Sequence, residues 1–207
     1  MENKNVLAIF GGSFNPPLNS HFSLAEQIIN EYKMIEKVIF VPVSTKYNKK
    51  GLISNYHRYN MLKLVCDKNE KFEVSDIEQK QKKQLETQET LELLQIQYPD
   101  YELYFTIGTD NLKDIPNWEC KERLLKDFKI LVIERDKDNM DEIINSDDFL
   151  LFHKDAFIKV KENIRSNISS TFVRNKIKNQ KSIRYFTPDE IYYYIKENNL
   201  YSIKDNK

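Results

Sequence analysis

Apolar positions along this chain fall into short strand-length runs separated by longer amphipathic stretches. Val6 to Phe10 (VLAIF) is a continuous apolar run ending in Gly11-Gly12, and Pro16-Pro17 delays a helix until about Ser20. From Phe22 to Ile35 the residues Phe22, Ala25, Ile28, Ile29 and Tyr32 recur at helical spacing, and Lys37 to Val43 (KVIFVPV) is a second strand. The three pieces make a β-α-β unit, whose strands are parallel and whose crossover is right-handed. Ser54 is placed to cap a helix with Tyr59, Leu62 and Val65 on one face. Phe72 to Val74, Glu102 to Ile107 and Lys129 to Ile133 read as further strands, and Thr87 to Gln97 as a helix.

Strongly apolar strands alternating with amphipathic helices predict an α/β fold, a doubly wound parallel sheet with helices on both faces. Ligands of such sheets bind beyond the carboxyl ends of the strands. Past Ile168 the pattern changes to two helices, one starting at Ser169 or Ser170 and one after Thr187-Pro188. The expected organisation is a core over residues 1–166 and a small helical C-terminal subdomain over 167–207, joined in one compact unit. Ile191, Tyr194, Ile195 and Leu200 of the last helix are expected to be core.

A chain of 207 residues, 40% of them hydrophobic, can bury one sizeable core. Lys+Arg and Asp+Glu both total 32, so no overall field draws the protein to nucleic acid or a membrane surface, and anion binding must be local. The cluster Lys80 to Lys83 (KQKK) reads as a solvated loop. Cys66 and Cys120 lack the close spacing of a zinc site and read as ordinary thiols of a reducing compartment. The polar N-terminus and the short Val6–Phe10 run fit neither a signal peptide nor a membrane span, so a cytoplasmic protein is expected. The glycosylation pattern Asn167-Ile168-Ser169 is then disregarded. Of the four glycines in the chain, two are adjacent, at Gly11-Gly12.

The segment GGSFNPPLNSH, from Gly11 to His21, lies between a strand and a helix. Its glycines allow a nucleotide close to the backbone, and the helix start offers unpaired N–H groups to phosphate, with His21 as a further donor. A tight structural turn would use the same glycines. The second segment, NISSTFVR from Asn167 to Arg174, gathers three hydroxyls at a helix start, with Arg174 three residues after Thr171 and so on the same face. It suits the outer phosphates of a triphosphate, or an ordinary serine cap beside a solvated arginine.

Together these residues resemble the nicotinate-nucleotide adenylyltransferase family, within the nucleotidyltransferases marked by a T/H-x-G-H sequence. GGSFNPPLNSH resembles the family's G-G-x-F-D/N-P-x-H-x-G-H, and ISSTFVR its I-S-S/A-T-x-I/V-R. Between them Ile107-Gly108-Thr109-Asp110-Asn111-Leu112 resembles I-G-x-D-x-L, and Pro116-Asn117-Trp118 resembles P-x-W. The ending from Phe186-Thr187-Pro188 to Asn199-Leu200-Tyr201 is also similar. The resemblance implies a Rossmann-like nucleotidyltransferase fold that binds ATP and a pyridine mononucleotide. His21, Lys49 and Arg174 would be catalytic. ATP would be held by Gly11, Gly12, Ser13, Phe14, His21, Gly108, Asp110, Ser169, Ser170, Thr171 and Arg174. The mononucleotide would meet Ser13, Phe14, Thr87, Asp110, Trp118 and Arg135, with Trp118 stacking on the pyridine ring. Arg58 and Arg135 align loosely, either toward substrate or in surface ion pairs. Leu18, Ser20 and Asn48 depart from the pattern, which has His or Thr, Gly, and often His there. Leu18 cannot hydrogen-bond phosphate. Either His21, Lys49 and metal suffice, or this member is slow or diverted, or Leu18 packs under the loop.

The implied reaction needs no Ser/His/Asp or Cys/His arrangement, because the mononucleotide's phosphate can attack the α-phosphorus of ATP and expel pyrophosphate. Mg2+ would be bound mainly through ATP phosphates, with no metal site of the protein's own. Backbone N–H groups around Thr87 and Trp118 would favour the acid form of the mononucleotide. A sibling transferase with a phosphopantetheine acceptor or cytidylyl donor, and a catalytically silent nucleotide-binding module, are the rivals. A nicotinamide-dependent dehydrogenase would need a G-x-G-x-x-G turn that Gly11-Gly12-Ser13 lacks. Nucleic-acid and membrane partners are not expected, and a homo-oligomer is left open.

Overall fold

The computed structural model describes residues 5–47, 51–135, 137–161 and 168–202. Strands β1 (Val6–Gly12), β2 (Ile35–Pro42), β3 (Phe72–Val74), β4 (Glu102–Gly108), β5 (Lys129–Ile133) and β6 (Phe157–Lys159) form one parallel sheet. Its spatial order is β3-β2-β1-β4-β5-β6. The chain winds outward from β1 in one direction and returns to β4 before winding in the other, so a crevice opens above the carboxyl ends of β1 and β4. The helices are α1 (Asn19–Glu31), α2 (Asn55–Cys66), α3 (Thr87–Gln97), α4 (Thr109–Asp114), α5 (Lys121–Asp127), α6 (Met140–Asn145), α7 (Asp148–Phe152), α8 (Ser170–Lys178) and α9 (Asp189–Glu197).

The period of two along each strand divides the core. Val6, Ala8 and Phe10 of β1 face one way, with Val38 and Phe40 of β2, against α1, α2 and the C-terminal helices. Leu7 and Ile9 face the other way, with Ile39, Val41, Leu103, Ile130 and Val132, against α3 to α7. Because both faces are covered, the strands are apolar at nearly every position, which is why they read so clearly in the sequence. Val173, Ile183, Ile191, Ile195 and Leu200 join the α1/α2 core, so the C-terminal helices share that core. Tyr194 of α9 meets His57 of α2, Oη to Nδ1, at 2.9 Å. No helix among the described residues is long and apolar enough to cross a membrane.

Three sequence expectations are adjusted. Helix α1 ends at Glu31 and Ile35 already belongs to β2, paired with Val6 in the sheet. On α2 the buried side chains are Arg58, Met61, Leu62 and Cys66, so the core-facing stripe is rotated from the Tyr59, Leu62, Val65 face and has an arginine in it. Short elements between Ile133 and Ile168, namely α6, α7 and β6, were not anticipated. At six, five and three residues they are too short to repeat a hydrophobic period.

Candidate active site

A cleft of about 1000 Å³ lies at the switch point and is lined by both segments singled out in the sequence. At one side are Gly11, Gly12, Ser13, Phe14, Leu18 and His21, together with Ser169, Ser170, Thr171 and Arg174 of the α8 start. Thr87 and Trp118 stand at α3 and just past α4, and Asp110 and Arg135 also line the cleft. Residues far apart in the chain thus converge because every loop involved leaves the carboxyl end of a strand or opens a helix beside it. Gly108 ends β4 between the cleft residues Thr106 and Asp110. A Cβ at Gly108 would come within 2.4 Å of Asp110 Oδ1 and 2.5 Å of Arg135 Nε, so a larger residue there would displace that exposed pair from its present geometry. Gly11 and Gly12 are tight for a similar reason: a Cβ on either would meet the Phe105 or Phe14 ring at 3.1 Å. Lys49 and Asn48 lie outside the described residues.

His21 sits at the third position of α1. The Leu18 N–H donates to its Nδ1 at 2.8 Å, while the His21 N–H donates to the Leu18 carbonyl at 3.0 Å, so the imidazole closes the helix start from within. An acceptor Nδ1 puts the ring proton on Nε2 in the neutral form, so His21 is a donor from its far side. Burial, then the positive charge of Arg135, lowers its pKa to about 4. The ring is wedged edge-on to Phe14, with centroids 5.2 Å apart, which fixes its direction. Leu18 itself is 1% exposed and packs in the α1/α2 core.

The α8 start is built differently. Ser169 Oγ caps the helix by accepting the Phe172 N–H at 3.1 Å, and Ser170 Oγ donates to the Pro16 carbonyl at 2.8 Å. All three hydroxyls are therefore bonded within the protein, Thr171 Oγ1 as an acceptor from Arg174, and among the described residues the Ser170 and Thr171 N–H groups are left open at the helix start. Arg174 donates from Nη2 to Thr171 Oγ1 at 3.0 Å and from Nη1 to the Asn15 carbonyl at 2.8 Å. Helix α8 is thus tied to the loop after β1. Asn15, which sequence reasoning passed over, is the hub of that loop: its Nδ2 donates to Gly51 O at 2.8 Å and its Oδ1 accepts from Tyr201 Oη at 3.0 Å.

At the other end the Trp118 indole N–H donates to Asp114 Oδ2 at 3.2 Å, so Asp114 steers the ring face; an i, i+4 Asp–Trp spacing was the available signal. The Trp118 backbone N–H is taken by Ile115 O at 2.9 Å, which removes one of the donors expected for a ring carboxylate. Arg135 pairs with Asp110 at 3.3 Å, both side chains more than half exposed, while its N–H is held by Thr109 Oγ1 at 3.1 Å. Arg58 is neither at the surface nor in the cleft lining but wholly buried. Glu78, a lining carboxylate that sequence reasoning missed, accepts from Thr90 Oγ1 at 3.1 Å, and burial pushes its pKa up. Among the described residues no three His, Cys, Asp or Glu side chains gather as a metal site.

The arrangement brings two helix starts to one cleft beside an indole oriented by Asp114. A family model described as cytidylyltransferase-like matches residues 9–176. A probable nicotinate-nucleotide adenylyltransferase of Carboxydothermus hydrogenoformans is 38% identical over 196 residues, covering 94% of this chain and 97% of that relative. This chain belongs to the nicotinate-nucleotide adenylyltransferase family. A second relative so named, from Clostridium tetani, is 35% identical over 202 residues, 94% of this chain and 98% of its own length. The fold is also that of a solved Plasmodium falciparum nicotinic acid mononucleotide adenylyltransferase complexed with NaAD: TM-score 0.76, 24% identity, 95% of this chain and 97% of that one. Against the family's phosphate-facing pattern, Leu18 stands out as a core residue at a position where a donor is usual.

Proposed function

We propose that the protein transfers the adenylyl group of ATP to nicotinate mononucleotide, giving deamido-NAD and pyrophosphate. The observation that carries this reading is one cleft of about 1000 Å³ whose lining joins the His21 and α8 helix starts to Trp118 and Thr87. ATP phosphates would lie between the α1 and α8 starts, with His21 Nε2–H, Thr171, Arg174 and backbone N–H groups as donors and Lys49 as a further cation. The mononucleotide's phosphate would attack the α-phosphorus in line. Nothing on the protein need be covalently modified, so the rate would come from alignment and from donors already in place where charge develops. Support for the acid form rests on the Thr87 and Gln88 N–H groups in the first turn of α3, since Glu86 and Glu89 close a capping box on the other donors there and the Trp118 N–H is occupied.

Mg2+ would be held chiefly by triphosphate oxygens and water, and it would supply charge neutralisation on the departing pyrophosphate. A cytoplasmic enzyme with two small-molecule substrates follows from the same reading. The test is to incubate the protein with ATP and Mg2+ and either nicotinate or nicotinamide mononucleotide, following dinucleotide and pyrophosphate together. Equal release of both products with the acid, and a lower kcat/KM with the amide, is expected. Nucleotide binding without product would overturn the enzymatic reading, and preference for the amide would overturn the acceptor.

A further inference from the structure

Arg58 is wholly buried on the core face of α2, between residues such as Met61 and Leu62 that ordinarily fill such a stripe. Among the described residues no carboxylate lies within ion-pair distance of it; its donors go to oxygens of the chain. Nε donates to Ile53 O at 3.1 Å, Nη1 to Ser13 O at 3.0 Å, and Nη2 to Val43 O at 2.6 Å and to Asn55 Oδ1 at 2.8 Å. Ser13 and Val43 are the first residues past the ends of β1 and β2. The last backbone bond between these segments is Val43 N–H to Gly12 O, at 3.0 Å. Beyond it the two segments part to make the cleft, and the guanidinium bridges the gap, satisfying carbonyls that would otherwise be buried without partners.

That bridge sets the direction of a neighbouring donor. The Ser13–Phe14 peptide is trans, so a carbonyl held toward Arg58 turns the Phe14 N–H the opposite way. The Phe14 N–H has no partner among the described residues, and Phe14 lines the cleft beside His21. Phe14 is held at φ 45°, a left-handed conformation that a bulky residue adopts only when its surroundings impose it. The surroundings here are two arginines: Arg58 on the Ser13 carbonyl before Phe14 and Arg174 on the Asn15 carbonyl after it.

The geometry points to Arg58 as a positioning residue, whose grip on the Ser13 carbonyl keeps the Phe14 N–H aimed into the cleft as a donor to phosphate. The inference rests on the adenylyl-transfer reading of the same cleft. A planar fork is required, since one ammonium cannot reach carbonyls on three segments at once. In 15N-labelled wild type, titration with inorganic pyrophosphate should shift the Phe14 amide resonance; an unmoved resonance overturns the proposal without any variant. Arg58→Lys is then compared with Leu62→Ala, which also unsettles the buried face of α2 but has no part in the loop. Below both melting temperatures, Arg58→Lys should lose roughly ten- to a hundredfold in kcat, with KM for the mononucleotide within about twofold. Leu62→Ala should lose less than about twofold in kcat, as a purely structural change should. A kcat that falls equally in the two variants, or not at all in Arg58→Lys, overturns the positioning role. If wild type makes no dinucleotide, the functional reading fails, and the pyrophosphate titration still decides this one: a Phe14 shift present in wild type and lost in Arg58→Lys upholds it, one kept in both overturns it.

Discussion

At the start of α1 an imidazole accepts the Leu18 N–H, loses its basicity to burial and to the Arg135 charge, and presents a neutral Nε2–H toward the cleft. At the start of α8 a serine makes the cap, the outer face is exposed, and a full cation, Arg174, reaches back across the first turn. The first is a neutral dipole fixed by its capping bond and the Phe14 ring, the second a full charge tied back to Thr171 and the Asn15 carbonyl, and both side chains are half-buried at the cleft. A neutral, immobile donor gains most where charge develops during reaction, whereas a full cation attracts the triphosphate before reaction begins. The two helix starts, alike in sequence as polar segments after strands or loops, should therefore divide their effects between kcat and KM.

The largest expected effect is at the α1 start. His21→Ala should lower kcat roughly a hundredfold or more, with a smaller change in KM for ATP, in steady-state kinetics. A change confined to KM would erase the distinction between the two starts. Arg174→Ala should raise KM for ATP about tenfold and slow turnover less, and the penalty should shrink as salt is added because its charge is screened. A defect indifferent to ionic strength would mean that Arg174 acts through the Asn15 carbonyl and not as a charge.

Leu18→His sharpens the comparison from the apolar side. With Leu18 enclosed in the core, an imidazole there would be buried without a designed partner, at a cost of about 1–3 kcal/mol, so the melting temperature should fall by several degrees. No gain in kcat/KM is expected. A variant that is stable and faster would show that a phosphate donor had been lost at position 18. The smallest effect concerns pH. Because the folded pKa of His21, about 4, lies below the ordinary 6.5, the unfolded chain binds more protons between these values. The contribution of neutral His21 is complete above about pH 6.5 and is lost as pH falls toward 4. Urea denaturation of wild type and His21→Asn at steps from pH 7 to 4.5 should show the wild type losing stability more steeply; parallel curves would contradict the buried neutral ring.

Legibility followed the length over which a pattern repeats. The strands β1, β2, β4 and β5 announced themselves as apolar runs because both faces of the sheet are covered, and α3 was placed to the residue because its period runs for three turns. The short α6 and α7 had no room for a period, and β6, no longer than the legible β3, is defined by its pairing with β5. In the cleft, Gly11 to His21 and Ser169 to Arg174 were legible as segments, since each combines residue types with a shared chemical use. The work of individual atoms was not: Ser170 turned inward to Pro16, Gly108 made room for Asp110 and Arg135, and Asp114 steered Trp118.

What the sequence determined by itself is the run of long strands and helices, the parallel doubly wound sheet, and the two segments that had to meet at its carboxyl end. Those follow from local periodicity and from chemistry carried by contiguous residues. Only the tertiary structure decided that Leu18 is core, that His21 is neutral with its proton on Nε2, and that Arg58 binds carbonyls of three separate segments. Burial and hydrogen-bond partners of a single side chain depend on residues dozens of positions away. A leucine or an arginine at a helix position carries no mark of them until the sheet has closed around it.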